Sequence, residues 1–171
     1  MPTSEPFVIR PVRPEDGPAI ASLHARAMGP GRFARTAYRV RECAPDASPH
    51  CRIGLLDDRL VAAVRFTEVT IGGRGGALLL GPLAVDPAFA NRGYGRGLAA
   101  RAMAEAGAAG IALVVLVGDE PYYARLGFRR VPRGRIALPG PVDPDRLLAA
   151  ELRPGALAEY SGLVRCQSQR V

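Results

Sequence analysis

The chain has 171 residues, 48% of them apolar, and a formal net charge of +7. That is enough for one domain with a real core and too apolar for a disordered chain. All 23 basic residues are arginine, so a Walker A phosphate loop, which needs a lysine, is excluded.

Phe7 to Val12 alternates like a first strand. Pro14-Glu15-Asp16 then opens a helix running to about Met28, with Ile20, Leu23 and Ala27 at helical spacing. Gly29-Pro30-Gly31 breaks it, and a second helix is expected over 32–42. After a loop at 45–49, strands are expected over 51–56 and 60–71, joined by a turn at Asp57-Asp58. The glycines between 72 and 76 read as a hairpin turn, followed by a strand over 77–85. Gly81-Pro82 interrupts that strand, which suggests a bulge or an unpaired stretch.

The strand ends at Asp86-Pro87 and runs into A-F-A-N-R-G-Y-G-R-G, which opens a helix from Gly93 to Gly107. Glycines there let the main chain approach a ligand, and a helix N-terminus favours an anion. Arg92 and Arg96 add positive charge. The loop reads as a seat for a phosphate-bearing ligand. A dinucleotide fingerprint is the weaker reading, because position 98, where its third glycine would belong, is Leu98. Ile111 to Val117 is a continuous aliphatic run, as in a strand buried on both faces. Pro121 starts a short helix through Leu126, Gly127 ends it, and Phe128 to Val131 is a further strand. Pro139 to Pro144 is a loop, 145–150 a last short helix, and the remainder supplies terminal strands.

The longest aliphatic run is too short to cross a bilayer, and the first residues lack a basic-then-apolar signal pattern. Cys43, Cys51 and Cys166 lack metal-ligand spacing, so no metal site is expected. The expectation is a cytoplasmic protein with reduced thiols. The basic charge alone would also suit a nucleic-acid binder. No aromatic-interleaved basic run supports one, so nucleic acid is not expected as a partner.

Two segments, L-G-P-L-A-V-D-P-A-F-A-N-R-G-Y-G-R-G-L (80–98) and V-G-D-E-P-Y-Y-A-R-L-G-F (117–128), carry a family likeness. The chain resembles the GNAT superfamily of N-acetyltransferases, and within it the bacterial YhbS-like branch. The likeness covers about 7–131, with the tail at 132–171 matched loosely; the whole chain, 1–171, is read as one domain. The family loop Q/R-x-x-G-x-G/A falls on 90–95, with Ala90 in place of the usual Gln or Arg. The resemblance implies an α+β fold: a mixed, mostly antiparallel sheet splayed between two parallel strands, with helices on both faces. It implies acetyl-CoA as acyl donor. Backbone groups of Leu83, Ala84 and Val85 would hold its pantetheine arm, and Asn91, Arg92, Gly93, Tyr94, Gly95 and Arg96 its pyrophosphate.

The reaction implied is direct attack of a primary amine on the thioester. The family's proton donor to the leaving thiolate falls on Tyr123, with Tyr122 as core or substrate wall. Glu68 is the candidate base, with Glu42, Asp86 and Glu120 as alternatives. The acceptor is expected to be a small-molecule or peptide amine. Arginines at 32, 35, 39, 41, 133 and 135 favour an anionic one. The family also makes a homodimer a possible partner. The competing reading is a non-catalytic acyl-CoA-binding or sensor module on the same fold.

Overall fold

The computed structural model describes residues 6–28, 40 and 48–167. Strand β1 (Phe7–Pro11) leads into a 3₁₀ turn at Pro14–Asp16. Asp16 is buried there, and its carboxylate is fully used. It accepts from the Arg13 N–H at 2.7 Å and from both Arg10 guanidinium nitrogens at 2.8 and 2.9 Å. The hydrogen bonds from Arg10, foremost, hold its pKa below the usual carboxylate range. Helix α1 (Gly17–Met28) follows.

Strands β2 (Arg52–Leu56), β3 (Arg59–Ile71) and β4 (Arg74–Val85) continue the antiparallel meander begun by β1. The turns are tight ones. Asp57 and Asp58 have φ of 48° and 58°, and Gly72 and Gly73 have 57° and 87°. Both central residues of a two-residue hairpin of this hand need positive φ, so Asp and Gly suit the places. The second turn thus takes only the first two of the five residues at 72–76, and β4 starts earlier than expected. Helix α2 (Tyr94–Ala108) crosses back to β5 (Leu113–Val117), which lies parallel to β4. The short helix α3 (Glu120–Tyr123) comes next, then β6 (Arg129–Arg130), β7 (Ile136–Ala137), β8 (Leu147–Glu151) and β9 (Gly162–Cys166).

The main sheet runs β1-β2-β3-β4-β5-β8-β6, with β9 pairing the far end of β3 and β7 pairing β9. One face packs on α2, through Ala62, Val64, Phe66 and Leu78 against Leu98, Ala102 and Met103. The other carries α1, whose Leu23 is wholly buried against Ile53, Ala63 and Ala84. This is the α+β fold expected, with helices on both faces. Arg52 on β2 ties the sheet to α2 through Glu105, at 2.8 Å.

One element differs in kind. Residues 145–150 were expected to be helical. Asp143 instead caps a 3₁₀ turn at Pro144–Arg146, its side chain accepting from the Asp145 N–H. The Leu-Leu-Ala-Ala-Glu stretch that follows is strand β8, laddered to all five residues of β5. Leu and Ala favour helix intrinsically, but burial between β5 and β6 overrides that preference. The second helix expected over 32–42 lies outside the described residues except for Val40, which is helical and buried. Cys51 and Cys166 are buried and in no disulfide among the described residues; Cys43 is outside them. No helix among the described residues is long and apolar enough to cross a membrane.

Candidate active site

β4 and β5 are paired over only three residues. The register is Ala77↔Leu113, Leu78↔Val114 and Leu79↔Val115, and there the ladder stops. β5 continues to Val117 with its other edge on β8, while β4 continues to Val85 with its other edge on β3. The two strands therefore part, and a cleft opens between Leu80–Val85 and the end of β5. The parting has a local cause at Gly81-Pro82. The β3 ladder passes from Val64↔Leu83 to Phe66↔Leu80, so β4 holds one residue more than β3 across this step. That is a β-bulge, and the proline has no N–H to give to a ladder. The bulge also shifts the side-chain alternation, so Leu83 and Val85 reach the α2 face along with Leu78 and Leu80. Leu83, Ala84 and Val85 thus offer backbone along one wall of the cleft.

The open end of the cleft meets the N-terminus of α2. Asp86 closes β4: its N–H donates to Val61 O at 2.8 Å, and its carboxylate accepts from the Ala88 N–H at 3.0 Å. Arg26 of α1 and Arg59 pair with the same carboxylate, at 3.3 and 3.5 Å. Asn91 and Gly93 then take φ of 62° and 83°, turning the chain into the helix. The first intrahelical bond is Gly97 N–H to Gly93 O. The N–H groups of Tyr94, Gly95 and Arg96 therefore have no acceptor within the helix, and no side chain among the described residues caps it. Arg96 Nε is buried with no partner among the described residues. A Cβ on Gly95 would stand 2.8 Å from Val85 Cγ2, so only glycine fits between helix and cleft wall.

Not every side chain of the loop serves this end. The Arg92 guanidinium leans back over the Phe89 ring, 5.6 Å from its centroid, with Arg59 at 5.2 Å. The Tyr94 ring packs on Phe7 at 4.7 Å. These two residues supply backbone to the helix start and side chains to its support.

Tyr123 and Tyr122 sit on α3, just beyond β5. Their rings meet edge-on at 4.9 Å, and Tyr123 also meets the core residue Phe128 edge-on, at 5.7 Å. Gly118 is what lets Tyr123 lie there: a Cβ at Gly118 would be 2.6 Å from Tyr123 Cε2. The sequence reading passed over Gly118, although a glycine between a β-strand and a Pro-initiated helix was the available signal.

Glu68 is placed differently. Its register partner is Leu78, on the stretch where β4 is still joined to β5, so Glu68 stands level with the closed end of the cleft. Tyr123 follows the open end. The two candidate proton carriers are thus at opposite ends. Glu68 pairs with His50 Nε2 at 3.6 Å, and burial, foremost, pushes the His50 pKa down. Of the alternatives, Asp86 is tied up as described, Glu120 pairs with Arg130 at 2.9 Å, and Glu42 is outside the described residues. Arg133 is paired with Asp145 at 3.4 Å, and Arg135 donates to the carbonyls of Leu157 and Ala158 at 3.1 and 2.6 Å. The arginines at 32, 35, 39 and 41 are outside the described residues. A second residue missed from sequence is Thr67. It is 1% exposed, its hydroxyl lacks a partner among the described residues, and it faces Leu79, the last β4 residue joined to β5.

The sequence model described as Acetyltransferase (GNAT) family matches residues 18–128. A GNAT family N-acetyltransferase (YhbS) from Escherichia coli, solved in complex with CoA, is similar at a TM-score of 0.83 and 24% identity, over 98% of this chain and 93% of that one. A GNAT family acetyltransferase from Brucella melitensis, in complex with acetyl-CoA, is similar at 0.63 and 27%, over 85% and 96%. The ribosomal-protein-S18-alanine N-acetyltransferase from E. coli is similar at 0.62 and 18%, over 86% and 94%. Comparison with curated proteins gives no match.

Proposed function

The chain belongs to the GNAT acetyltransferase family, and on that premise we propose that it transfers an acetyl group from acetyl-CoA to a primary amine by direct attack on the thioester. The observation that carries the reading is the parted β4/β5 pair ending at a helix start with three free amides. The donor set there suits a diphosphate. It consists of N–H groups and the buried Arg96 Nε, and the segment 87–97 contains no carboxylate. Asn91, Arg92, Gly93, Tyr94, Gly95 and Arg96 form this seat, largely by main chain. Leu83, Ala84 and Val85 hold the pantetheine arm as an added strand would be held.

Acetyl-CoA supplies an activated acyl group, and the protein's residues manage protons and charge around it. An N–H of the Leu83–Val85 wall stabilises the negative charge that develops on the acyl oxygen. Tyr123, beside the open end, gives a proton to the departing thiolate. A free phenol, with a pKa of about 10, is a weaker acid than a free thiol at about 8.5, so that transfer is mildly uphill and gains little. Tyr123→Phe therefore slows turnover without abolishing it. The amine must be neutral to attack. Glu68, at the closed end, serves as base only through a chain of water along the cleft. Glu68→Gln then lowers the rate most at the acidic side of the pH profile. The acceptor is a small-molecule or peptide amine. With Arg133 and Arg135 already engaged, preference for an anionic acceptor rests on the arginines at 32, 35, 39 and 41.

A thermal-shift titration with acetyl-CoA, CoA and ATP tests the donor, since a ligand for the native state raises Tm. Gly93→Asp is the control: the place has open space for a side chain and the new charge repels phosphate, while its φ of 83° strains any side chain, so the variant's Tm without ligand is its own baseline. Stabilisation by both CoA ligands far beyond that by ATP, which lacks the pantetheine arm, and lost in the variant, is expected. No shift with CoA refutes the reading. CoA release with an amine panel then tests transfer. The distance of Glu68 from Tyr123 favours a second reading, a binding or sensor module without chemistry. Tight acetyl-CoA binding, no transfer to any amine and no effect of Tyr123→Phe would establish it.

A further inference from the structure

Tyr122 is 40% exposed, one of two large hydrophobic residues so exposed among those described. Its place is not that of a stray surface aromatic. α2 begins beyond β4 and α3 beyond β5, so the open end of the cleft is flanked by the first turns of two helices. Tyr122 reaches from one to the other: its hydroxyl oxygen lies 3.2 Å from the point a Cβ on Gly95 would occupy. That puts a phenol O–H against Gly95, in the helix turn whose Tyr94, Gly95 and Arg96 amides have no acceptor within the helix and whose Arg96 Nε is buried and unpartnered among the described residues. The hydroxyl forms no hydrogen bond with any described residue. Its ring is held from behind by the edge of Tyr123. A donor group with no protein acceptor is thus aimed at a cluster of other donors. One acceptor shared among them would satisfy the whole cluster, and an anion is such an acceptor.

We propose that Tyr122 is a donor-binding residue that closes the cleft. Its hydroxyl donates to the diphosphate seated on α2, and its ring covers the pantetheine arm where it enters between β4 and β5. This rests on the coenzyme A reading above. It gives the adjacent tyrosines separate tasks, Tyr122 in holding the donor and Tyr123 in proton transfer.

The test is calorimetric titration of wild type, Tyr122→Phe and Tyr122→Ala with CoA and with ADP, which carries a diphosphate but no pantetheine. Losing a hydrogen bond to a charged group weakens binding about tenfold. Tyr122→Phe is therefore expected to raise Kd for both ligands by that factor. Tyr122→Ala is expected to weaken CoA further, by about another tenfold through loss of the ring face, and ADP no further. In steady state Tyr122→Phe, which keeps the ring against Tyr123, raises KM for acetyl-CoA far more than it changes kcat, whereas Tyr123→Phe lowers kcat. An unchanged CoA affinity in Tyr122→Phe, or a fall in kcat at constant KM, overturns the proposal. Failure of the wild-type chain to bind CoA overturns the coenzyme A reading and this proposal with it. Tyr122→Phe keeps the ring packing, so it reports even if the alanine variant folds poorly.

Discussion

Gly118→Ala is a one-methyl change aimed at Tyr123 without touching it. Gly118 is not in the left-handed region, so alanine is conformationally acceptable and the cost is steric. The new Cβ would sit 2.6 Å from Tyr123 Cε2, 3.1 Å from Cδ2 and 3.0 Å from Leu116 Cδ1, where ordinary contact begins at 3.4 Å. Leu116 is buried and wedged in the core, so the tyrosine ring is the neighbour that moves, by most of an ångström. Overpacking of this kind costs about 1–3 kcal/mol. In a chain of this length that lowers Tm by about 3 °C per kcal/mol. A displacement near 1 Å of a group acting on the reaction costs on the order of 100-fold in rate. The assay is CoA release at saturating acetyl-CoA, with Tm recorded alongside. The decisive comparison is a double-mutant cycle with Tyr123→Phe. Acting through the phenol, Gly118→Ala should cost far less rate in the phenylalanine background, where the proton donor is already gone. Equal losses in both backgrounds, or a lowered Tm with an unchanged rate, would refute the placement of Tyr123 in the chemistry.

Leu98→Ala should destabilise by about 2–5 kcal/mol, read by denaturant titration, because Leu98 is wholly buried where α2 meets Ala62, Val64 and Phe66. A cost below 1 kcal/mol would mean that α2 is not seated as described. Thr67→Val should raise stability by about 1 kcal/mol or more, since it removes a buried hydroxyl with no partner; destabilisation would show that the hydroxyl is hydrogen-bonded in solution. Asp86, Asp16 and Glu105 all have pKa values held down: Asp86 chiefly by the Ala88 N–H, Asp16 by Arg10 and Glu105 by Arg52. A depressed folded pKa gives stability that is full above the unfolded value of about 4 and is lost as pH falls through the folded value. Acid unfolding monitored by circular dichroism should therefore begin below about pH 4 on their account. Asp86→Ala should cost about 1–2 kcal/mol at neutral pH, mainly as a lost cap, since Arg26 and Arg59 are largely solvated. Its acid profile should be shallower than that of wild type.

What could be read in the chain was whatever local chemistry enforces. The Asp57-Asp58 turn, the glycine start of α2 and the interruption at Gly81-Pro82 are written in residues with narrow backbone preferences, and each lies where the pattern put it. Helix α1 and strand β5 follow from periodicity and from an aliphatic run. Strand β8 was missed because Leu147 to Glu151 has no local signature of its own; its state is decided by β5 alongside. The site shows the same division. The backbone shape of the loop at 91–96, positive φ running into a helix start, was legible because glycines enforce it locally. The relation of Glu68 to Tyr123 was not legible, because it depends on strand register across three elements. Gly118 and Thr67 escaped notice for the same reason: each matters through a neighbour distant in sequence.

The missed strand also explains how the cleft can exist. Parting two strands in mid-sheet exposes the edges of both, and unpaired buried backbone is costly. Here each strand keeps one edge paired through the opening, β4 on β3 and β5 on β8 over Leu113–Val117. Residues 132–167 are thus part of the sheet and not an appendage to it. They supply the partner that lets β5 leave β4, and Arg146 O accepts from the Gly118 N–H at 2.9 Å, fixing the turn from which α3 and its two tyrosines project. The edges left facing each other across the cleft are then the places where an extended ligand can take the hydrogen bonds the sheet has given up. Under the proposed function the pantetheine arm lies along these edges, and the diphosphate meets the helix start that α2 adds at their end.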